Sequence, residues 1–333
     1  MSENAVAPWI VSQLETLLAQ RGHAWLLSGP SGLGQYSLAL ELARAWLCCE
    51  PSARGACDHC ASCHAIAVRT HADLCVLMPE TVMMTLGWPL SENAQSDIDD
   101  KKREASKEIR IEAMRDAVEF CQRTSARGRG KAVLVFPAER MNAFAASALL
   151  KTLEEPAGDV RFVLASEAAY QLLPTIRSRC LVHTMVWPRT EDSLAWLQTQ
   201  GLDATQAVVT LRAAGGRPQD ALQYGKSEIV AQVWARLPKA MARGDLTVLK
   251  DWSPLQTVDA LQKLCHDVLA LKAGAESRFF ATTDLPLGGS VASLTSWAQA
   301  LAVSKRTVEH PFNAGLMIEA LVSQAKNALN STQ

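Results

Sequence analysis

No apolar run in this 333-residue chain approaches the roughly 18–20 residues that a membrane-spanning helix needs. The opening Met1-Ser2-Glu3-Asn4-Ala5 lacks the basic and then apolar stretch of an export signal, so a cytoplasmic chain with no membrane partner is expected. Charge of one sign is also missing. With 33 Lys and Arg against 34 Asp and Glu, the formal net charge is −1. The chain as a whole is therefore no phosphate-neutralising surface, and any nucleic-acid contact must be local or shared with partners. Internal repeats and low-complexity tracts are absent. Hydrophobic residues at 48% and charged residues at 20% exclude a disordered or fibrous chain. At about 100–200 residues per domain, the length calls for two or three domains.

Cysteine, by contrast, is plentiful and unevenly placed. Five of the nine lie between Cys48 and Cys63, whereas Cys75, Cys121, Cys180 and Cys265 are scattered and read as small apolar fillers. Without an export signal, a disulfide framework is not expected, and clustered cysteines read as metal ligands or redox groups. Cys48-x8-Cys57-x2-Cys60-x2-Cys63 offers four soft donors after a helix. The two-residue spacings let successive thiolates turn towards one tetrahedral centre, closed by Cys48. Four protein ligands leave no open position, which makes structural zinc the preferred reading. An iron–sulfur cluster would accept the same four residues, and Cys49, His59 and His64 are competing donors.

The first half alternates short apolar runs with helical spacing. His23–Ser28, Leu74–Met78, Ala132–Phe136, Phe162–Ala165 and Leu181–Met185 are strand candidates. Helices are expected from Ser37, over Ile111–Val118 and over Asn142–Glu155. That alternation predicts an α/β fold with a parallel sheet covered on both faces. The polar segment 91–107 reads as a mobile surface insertion. After Val186-Trp187-Pro188 the strand candidates vanish and the pattern is helical, with a break at Gly215-Gly216-Arg217-Pro218. The expected division is a core over 1–186 carrying the 48–63 insertion, a small helical domain over 187–226 and an all-α domain over 227–333.

Gly29-Pro30-Ser31-Gly32-Leu33-Gly34-Gln35-Tyr36-Ser37 follows a strand and opens a helix, the context of a phosphate-binding loop. Gly29 and Gly34 have the right spacing. Gln35, however, stands where lysine should meet the terminal phosphates, and Tyr36 stands where a compact hydroxyl should meet magnesium. The third strand should end in Asp-Glu to hold the metal and orient water. It runs instead into Pro137-Ala138, with Glu139 out of register. Gln219 replaces a further arginine that usually contacts nucleotide. These losses predict a degenerate loop that binds no ATP.

Two further strings complete the pattern: Ala148-Leu149-Leu150-Lys151-Thr152-Leu153-Glu154-Glu155-Pro156 and Leu172-Leu173-Pro174-Thr175-Ile176-Arg177-Ser178-Arg179-Cys180. With Thr70-His71-Ala72-Asp73, the degenerate loop and the cysteine insertion, the chain resembles the AAA+ clamp-loader family. Within that family it is similar to a branch that does not hydrolyse ATP. The likeness covers about residues 8 to 225; Ala72 stands where that family usually has proline. The resemblance implies an AAA+ core, a helical lid and a helical collar that joins a ring with ATPase and delta-type subunits. The ring acts on a sliding clamp and primer–template DNA. It also implies that Arg179, in the Ser178-Arg179-Cys180 motif, reaches a neighbour's ATP as an arginine finger. From its position alone, Arg179 could equally pair a local carboxylate. Arg123, Arg127, Arg129 and Lys131 form a basic run that reads as a solvated turn or a DNA-contacting loop. An independently active AAA+ ATPase and a zinc-bearing DNA-binding module of repair are the competing readings.

Overall fold

The computed structural model describes residues 6–226, 233–308 and 313–331. The opening Met1–Ala5 and the expected start of the third domain at 227 lie outside the described residues. The chain divides into two compact units, Met1–Pro188 and Arg189–Gln333.

The first unit is built on five parallel strands: β1 (Ala24–Ser28), β2 (Leu74–Leu77), β3 (Lys131–Val135), β4 (Val160–Ser166) and β5 (Leu181–Thr184). Their order across the sheet is β2-β3-β4-β1-β5. A parallel sheet needs a crossover between neighbours, and both its faces must be covered. Alternation in the strands meets that need. Leu26, Val133, Val135, Phe162 and Leu164 point to one face, where α6 (Ile111–Gln122) and α7 (Ala143–Glu154) bury Met114, Ala117, Leu149 and Leu153. The opposite side chain of β1, Trp25, packs on Trp46 with ring centroids 5.0 Å apart. Trp46 belongs to α2 (Gln35–Leu47), which packs against α1 (Pro8–Leu18). This is the α/β core the resemblance implies.

The remaining helices of the unit are α3 (Ala61–Ala67), α4 (Glu80–Leu86), α5 (Glu92–Asp99) and α8 (Pro174–Arg177). The α5 helix corrects the reading of 91–107 as a mobile insertion. Ser91 caps it, its Oγ accepting from the Ala94 N–H at 3.3 Å. The segment that follows is clamped back onto α4. The Arg103 guanidinium donates to both carboxylate oxygens of Glu80 at 2.5 and 2.7 Å, and the Ser106 N–H donates to Glu80 Oε2 at 2.7 Å. Low apolar content had hidden a fork-shaped ion pair.

The second unit is wholly helical in its described residues. In α9 (Thr190–Thr199), α10 (Ala204–Ala213) and α11 (Pro218–Gly225), short helices pack on one another. They are followed by α12 (Leu237–Arg243), α13 (Pro254–Lys272), α14 (Val291–Thr307) and α15 (Ala314–Leu329). Reciprocal capping boxes, Asp203 with Gln206 and Ser253 with Gln256, start α10 and α13. Trp234 stacks on Phe280 at 4.6 Å within a core that includes Leu261, Leu264, Leu294 and Leu321. Among the described residues, no helix is long and apolar enough to cross a membrane.

Back in the first unit, Thr70-His71-Ala72-Asp73 has a structural explanation. Asp73 is fully buried just before β2. Its carboxylate accepts from the Ala126 N–H at 2.7 Å, the Arg127 N–H at 2.9 Å and Ser125 Oγ at 3.1 Å. Lys131 Nζ lies 3.7 Å away, itself only 5% exposed and 3.9 Å above the Phe120 ring. Lys131 is thus removed from the solvated basic run and belongs to the core. Burial works to raise the Asp73 pKa, but the three hydrogen bonds and Lys131 outweigh it and hold the pKa below the ordinary 3.8. A carboxylate depressed in the fold stabilises it above the unfolded pKa and loses that contribution as pH falls through the folded value. Asp73→Ala strands a buried ammonium, so it should lower unfolding free energy by about 3–5 kcal/mol at neutral pH. The deficit should shrink below about pH 4. Urea titrations at pH 7 and pH 3 check both statements, and an equal deficit at the two pH values would refute the electrostatic account.

Candidate functional site

Two loops carry the chemistry, and a third place carries an arginine. The first loop leaves α2 at Cys48 and re-enters helix at Cys60, which caps α3. Cys48, Cys57, Cys60 and Cys63 bring their Sγ atoms within 4.8 Å of one another. Measured edges are 3.5 Å for Cys60–Cys63, 3.7 Å for Cys48–Cys63, 3.9 Å for Cys48–Cys60 and 4.0 Å for Cys57–Cys63. A tetrahedron with metal–sulfur bonds of about 2.3 Å has edges of about 3.8 Å, so this cage matches a four-thiolate metal centre. Backbone N–H groups of Glu50 and Cys57 point at Cys48 Sγ from 3.4 and 3.3 Å. Burial acts to raise the Cys60 pKa, but the Cys63 N–H and the neighbouring thiols prevail and take it down to about 5, while burial pushes Cys63 up. Cys49 is not among the four: it is exposed and its Sγ donates to Ser62 Oγ at 3.6 Å. His59 is exposed, 3.9 Å from Glu50, and groups with Glu50 and Cys57 rather than with the four thiols. His64 is exposed on α3 and in neither group.

The second loop joins β1 to α2 and has the expected phosphate-loop course. Gly34 sits at φ 99°, a left-handed conformation suited to glycine, and a Cβ on Gly29 would meet Met185 Cβ at 2.8 Å. Helix α2 begins at Gln35, two residues before the sequence pattern suggests, which draws Gln35 inside. Its side chain is 2% exposed and folds back across the loop, Nε2 donating to the Gly29 and Pro30 carbonyls, each at 2.7 Å. The residue standing in place of the phosphate-binding lysine therefore spends its donor on the loop itself. Tyr36 is equally engaged. Its hydroxyl accepts from Trp88 Nε1 at 2.7 Å, its ring lies 5.4 Å from Phe136, and burial raises its pKa. The Arg69 guanidinium lies over the Trp88 ring, 5.4 Å from its centroid. Glu139 offers no metal ligand: its carboxylate accepts from Ser166 Oγ at 2.7 Å and the Glu167 N–H at 3.1 Å. Gln219 lies in α11 of the other unit, with partners of its own.

Arg179 lies at the opposite rim of the sheet. The loop follows β1, at the carboxyl ends of the strands, whereas Arg179 precedes β5 at the amino ends. Five residues of strand at about 3.3 Å each separate the two rims by about 17 Å. The guanidinium donates from Nε and Nη2 to Glu154 Oε1 and from Nη1 to the Thr175 carbonyl at 2.8 Å. Glu154 ends α7, so the two distinctive strings meet in one ion pair. The pair is open to solvent, with Arg179 31% and Glu154 48% exposed. Ser178 Oγ donates to the Thr175 carbonyl at 3.2 Å, and burial pushes the Cys180 thiol up to about 11. Arg123, Arg127 and Arg129 remain on an exposed turn. Sequence reasoning did not find Trp88, Lys131 or Glu154 in these roles; only Glu154, inside a distinctive string, carried any signal.

With this geometry in view, similarity to known proteins becomes informative. The profile of the family described as "DNA polymerase III, delta subunit" matches residues 7–186. DNA polymerase III subunit delta' of Pseudomonas aeruginosa is 40% identical over 270 residues, 75% of this chain and 75% of that protein. The Escherichia coli protein of the same name is 32% identical over 221 residues, 65% of this chain and 59% of that protein. The one from Yersinia pestis is 27% identical over 317 residues, 90% and 86% of the two chains. The chain belongs to the DNA polymerase III delta' family.

Proposed function

We propose that the chain is a non-hydrolysing subunit of the clamp loader, which helps load the sliding clamp on primed DNA and supplies an arginine to a neighbour's ATP. The observation that carries this reading is the loop after β1, filled by its own Gln35 amide and flanked by the Tyr36–Trp88 pair. The side chain in the lysine position is neutral and already committed to the loop carbonyls, so it has no charge to offer a phosphate. Arg179, on the far rim and reachable from solvent, is suited to meet a nucleotide held by another subunit. The partners would be the ATPase and delta-type subunits of the ring, with clamp and primer–template DNA met through the complex. We assign 187–226 as the lid and 227–333 as the collar that joins the ring.

The full-length chain should show no saturable binding of labelled ATP with magnesium and no turnover. Gln35→Lys alone should not restore either, because Tyr36 still bonds Trp88 and Pro137-Ala138 still lacks a carboxylate. Equilibrium titration checks this; turnover by the wild-type chain would favour an independent ATPase.

The four-thiolate cage is assigned to structural zinc, held by Cys48, Cys57, Cys60 and Cys63. When bound, the metal would cross-link the end of α2 to the start of α3. Elemental analysis of reductant-purified protein should find one zinc per chain, and Cys48→Ser should lower that content. Because the thiols must deprotonate to bind, affinity should weaken as pH falls. Full zinc retention in Cys48→Ser would show that this ligand set is wrong.

Arg179→Ala should leave ring assembly intact and slow DNA- and clamp-stimulated ATP hydrolysis by the adjacent subunit. Fingers contribute about 10³–10⁵ in rate at their own site; only one site of the ring would be affected, so total turnover should fall less. Arg179→Lys should rescue poorly, since it keeps the charge and loses the planar fork. Glu154→Gln, which weakens the resting pair, should not slow hydrolysis. Steady-state ATPase of reconstituted rings measures all three, and wild-type rates with Arg179→Ala would leave the arginine a structural role alone.

A further inference from the structure

Neither the loops nor the family assignment explains the outer edge of β2. β2 is an edge strand, paired only to β3. The Ala132 N–H bonds the Asp73 carbonyl and the Phe136 N–H bonds the Leu77 carbonyl. Backbone direction alternates along a strand, so Asp73, Cys75 and Leu77 face β3, and the peptide groups of Leu74 and Val76 face outwards. The Leu74 N–H is taken by the His71 carbonyl at 3.2 Å. The Leu74 carbonyl and both backbone groups of Val76 have no hydrogen-bond partner among the described residues.

Leu74 and Val76 are half-buried. They floor a groove of about 770 Å³ walled by α5 on one side and α6 on the other. Protein edges are usually blunted by a covering segment, a proline or an inward charge. Here the segment 91–107 stops short of the strand and forms a wall, held in place by the Arg103–Glu80 fork. The wall chemistry is one-sided. Arg103 is committed to Glu80 and to Asp97, 3.5 Å away. Glu108, Glu112 and Asp116 are exposed around the groove, with Arg110 as the remaining cation.

We infer that this groove is a docking site for an extended segment of another protein chain, in which apolar residues alternate with lysine or arginine, added as a sixth strand on β2. The backbone groups of Leu74 and Val76 supply the ladder. Alternate side chains then fall on the half-buried apolar floor and towards the acidic rim, which gives selectivity for basic residues. A second copy of this chain is a poor occupant, because pairing two β2 edges brings two acidic rims together.

The test uses the full-length chain and a labelled, end-capped heptapeptide alternating valine with lysine, together with the same peptide carrying glutamate for lysine. Fluorescence anisotropy should give saturable binding of the lysine peptide, weakening as salt is added, and little binding of the glutamate peptide. Hydrogen exchange at the Val76 N–H should slow on binding. Val76→Pro removes that donor without touching the ladder to β3, and proline is tolerated on an edge. It should weaken the peptide about tenfold. Should Val76→Pro fail to fold, the exposed pair Glu112→Lys and Asp116→Lys decides: it should weaken the lysine peptide and strengthen the glutamate one. Equal binding of both peptides, unchanged exchange at Val76, or wild-type affinity in the variants would overturn the proposal. So would self-association of the chain that Val76→Pro abolishes, which would give the edge to a second copy.

Discussion

A parallel sheet cannot leave a face in water, and that constraint organises the first unit. Each connection crosses over by helix, so every strand sends its carboxyl end to the same rim, where ligands of such sheets gather. On this rim lie Gly29–Gln35 after β1, Pro137 and Glu139 after β3, and Ser166 at the end of β4. The rim is closed by the protein's own polar atoms. Gln35 binds the loop carbonyls, Glu139 binds Ser166 and Glu167, and Tyr36 accepts from Trp88. Leaving such buried groups unpaired costs about 1–3 kcal/mol each. The internal contacts remove that penalty for Gln35, Tyr36 and Glu139.

How far this was legible depends on distance along the chain. All five strands stand where apolar runs place them; burial on both faces writes that signal in β1, β3 and β4, whereas β5 keeps its apolar run although Leu181 and Val182 are exposed. The cysteine cage is equally plain, since its four members lie within a single short loop and their spacing nearly dictates the geometry. The phosphate-loop course is legible from Gly29 and Gly34. That Gln35 closes it is not, because a glutamine reads as a missing lysine until its amide is seen on the Gly29 and Pro30 carbonyls. Trp88 meets Tyr36 across 52 residues and Lys131 meets Asp73 across 58, and local pattern says nothing about such pairings. For 91–107 the misreading has the opposite cause. Polar composition suggested a solvated, mobile segment, yet the same charged residues lock it to Glu80.

The cysteine loop and the insertion show two ways of fixing a segment that buries little apolar surface. Neither can rely on a core, so each converges polar or thiol groups on one point. The insertion uses the Glu80 carboxylate, which Arg103 and the Ser106 N–H approach together. The loop from Cys48 to Cys63 brings four sulfurs together at the edge lengths of a tetrahedron, where a metal ion would join them.

Burial separates the two principal ion pairs of this unit into different kinds of interaction. Lys131 and Asp73 are 5% and 0% exposed, so breaking their pair strands a charge in the core. Arg179 and Glu154 are 31% and 48% exposed. Water screens them, and such pairs are worth about 0–1 kcal/mol. A contact that weak can be exchanged for another anion at little loss. It keeps the guanidinium extended on the rim, between the ends of α7 and α8, without committing it. A buried pair would hold the arginine more firmly. The proposed contribution of Arg179 to a neighbour's nucleotide rests on this weakness: the contact with Glu154 orients the guanidinium without holding it fast.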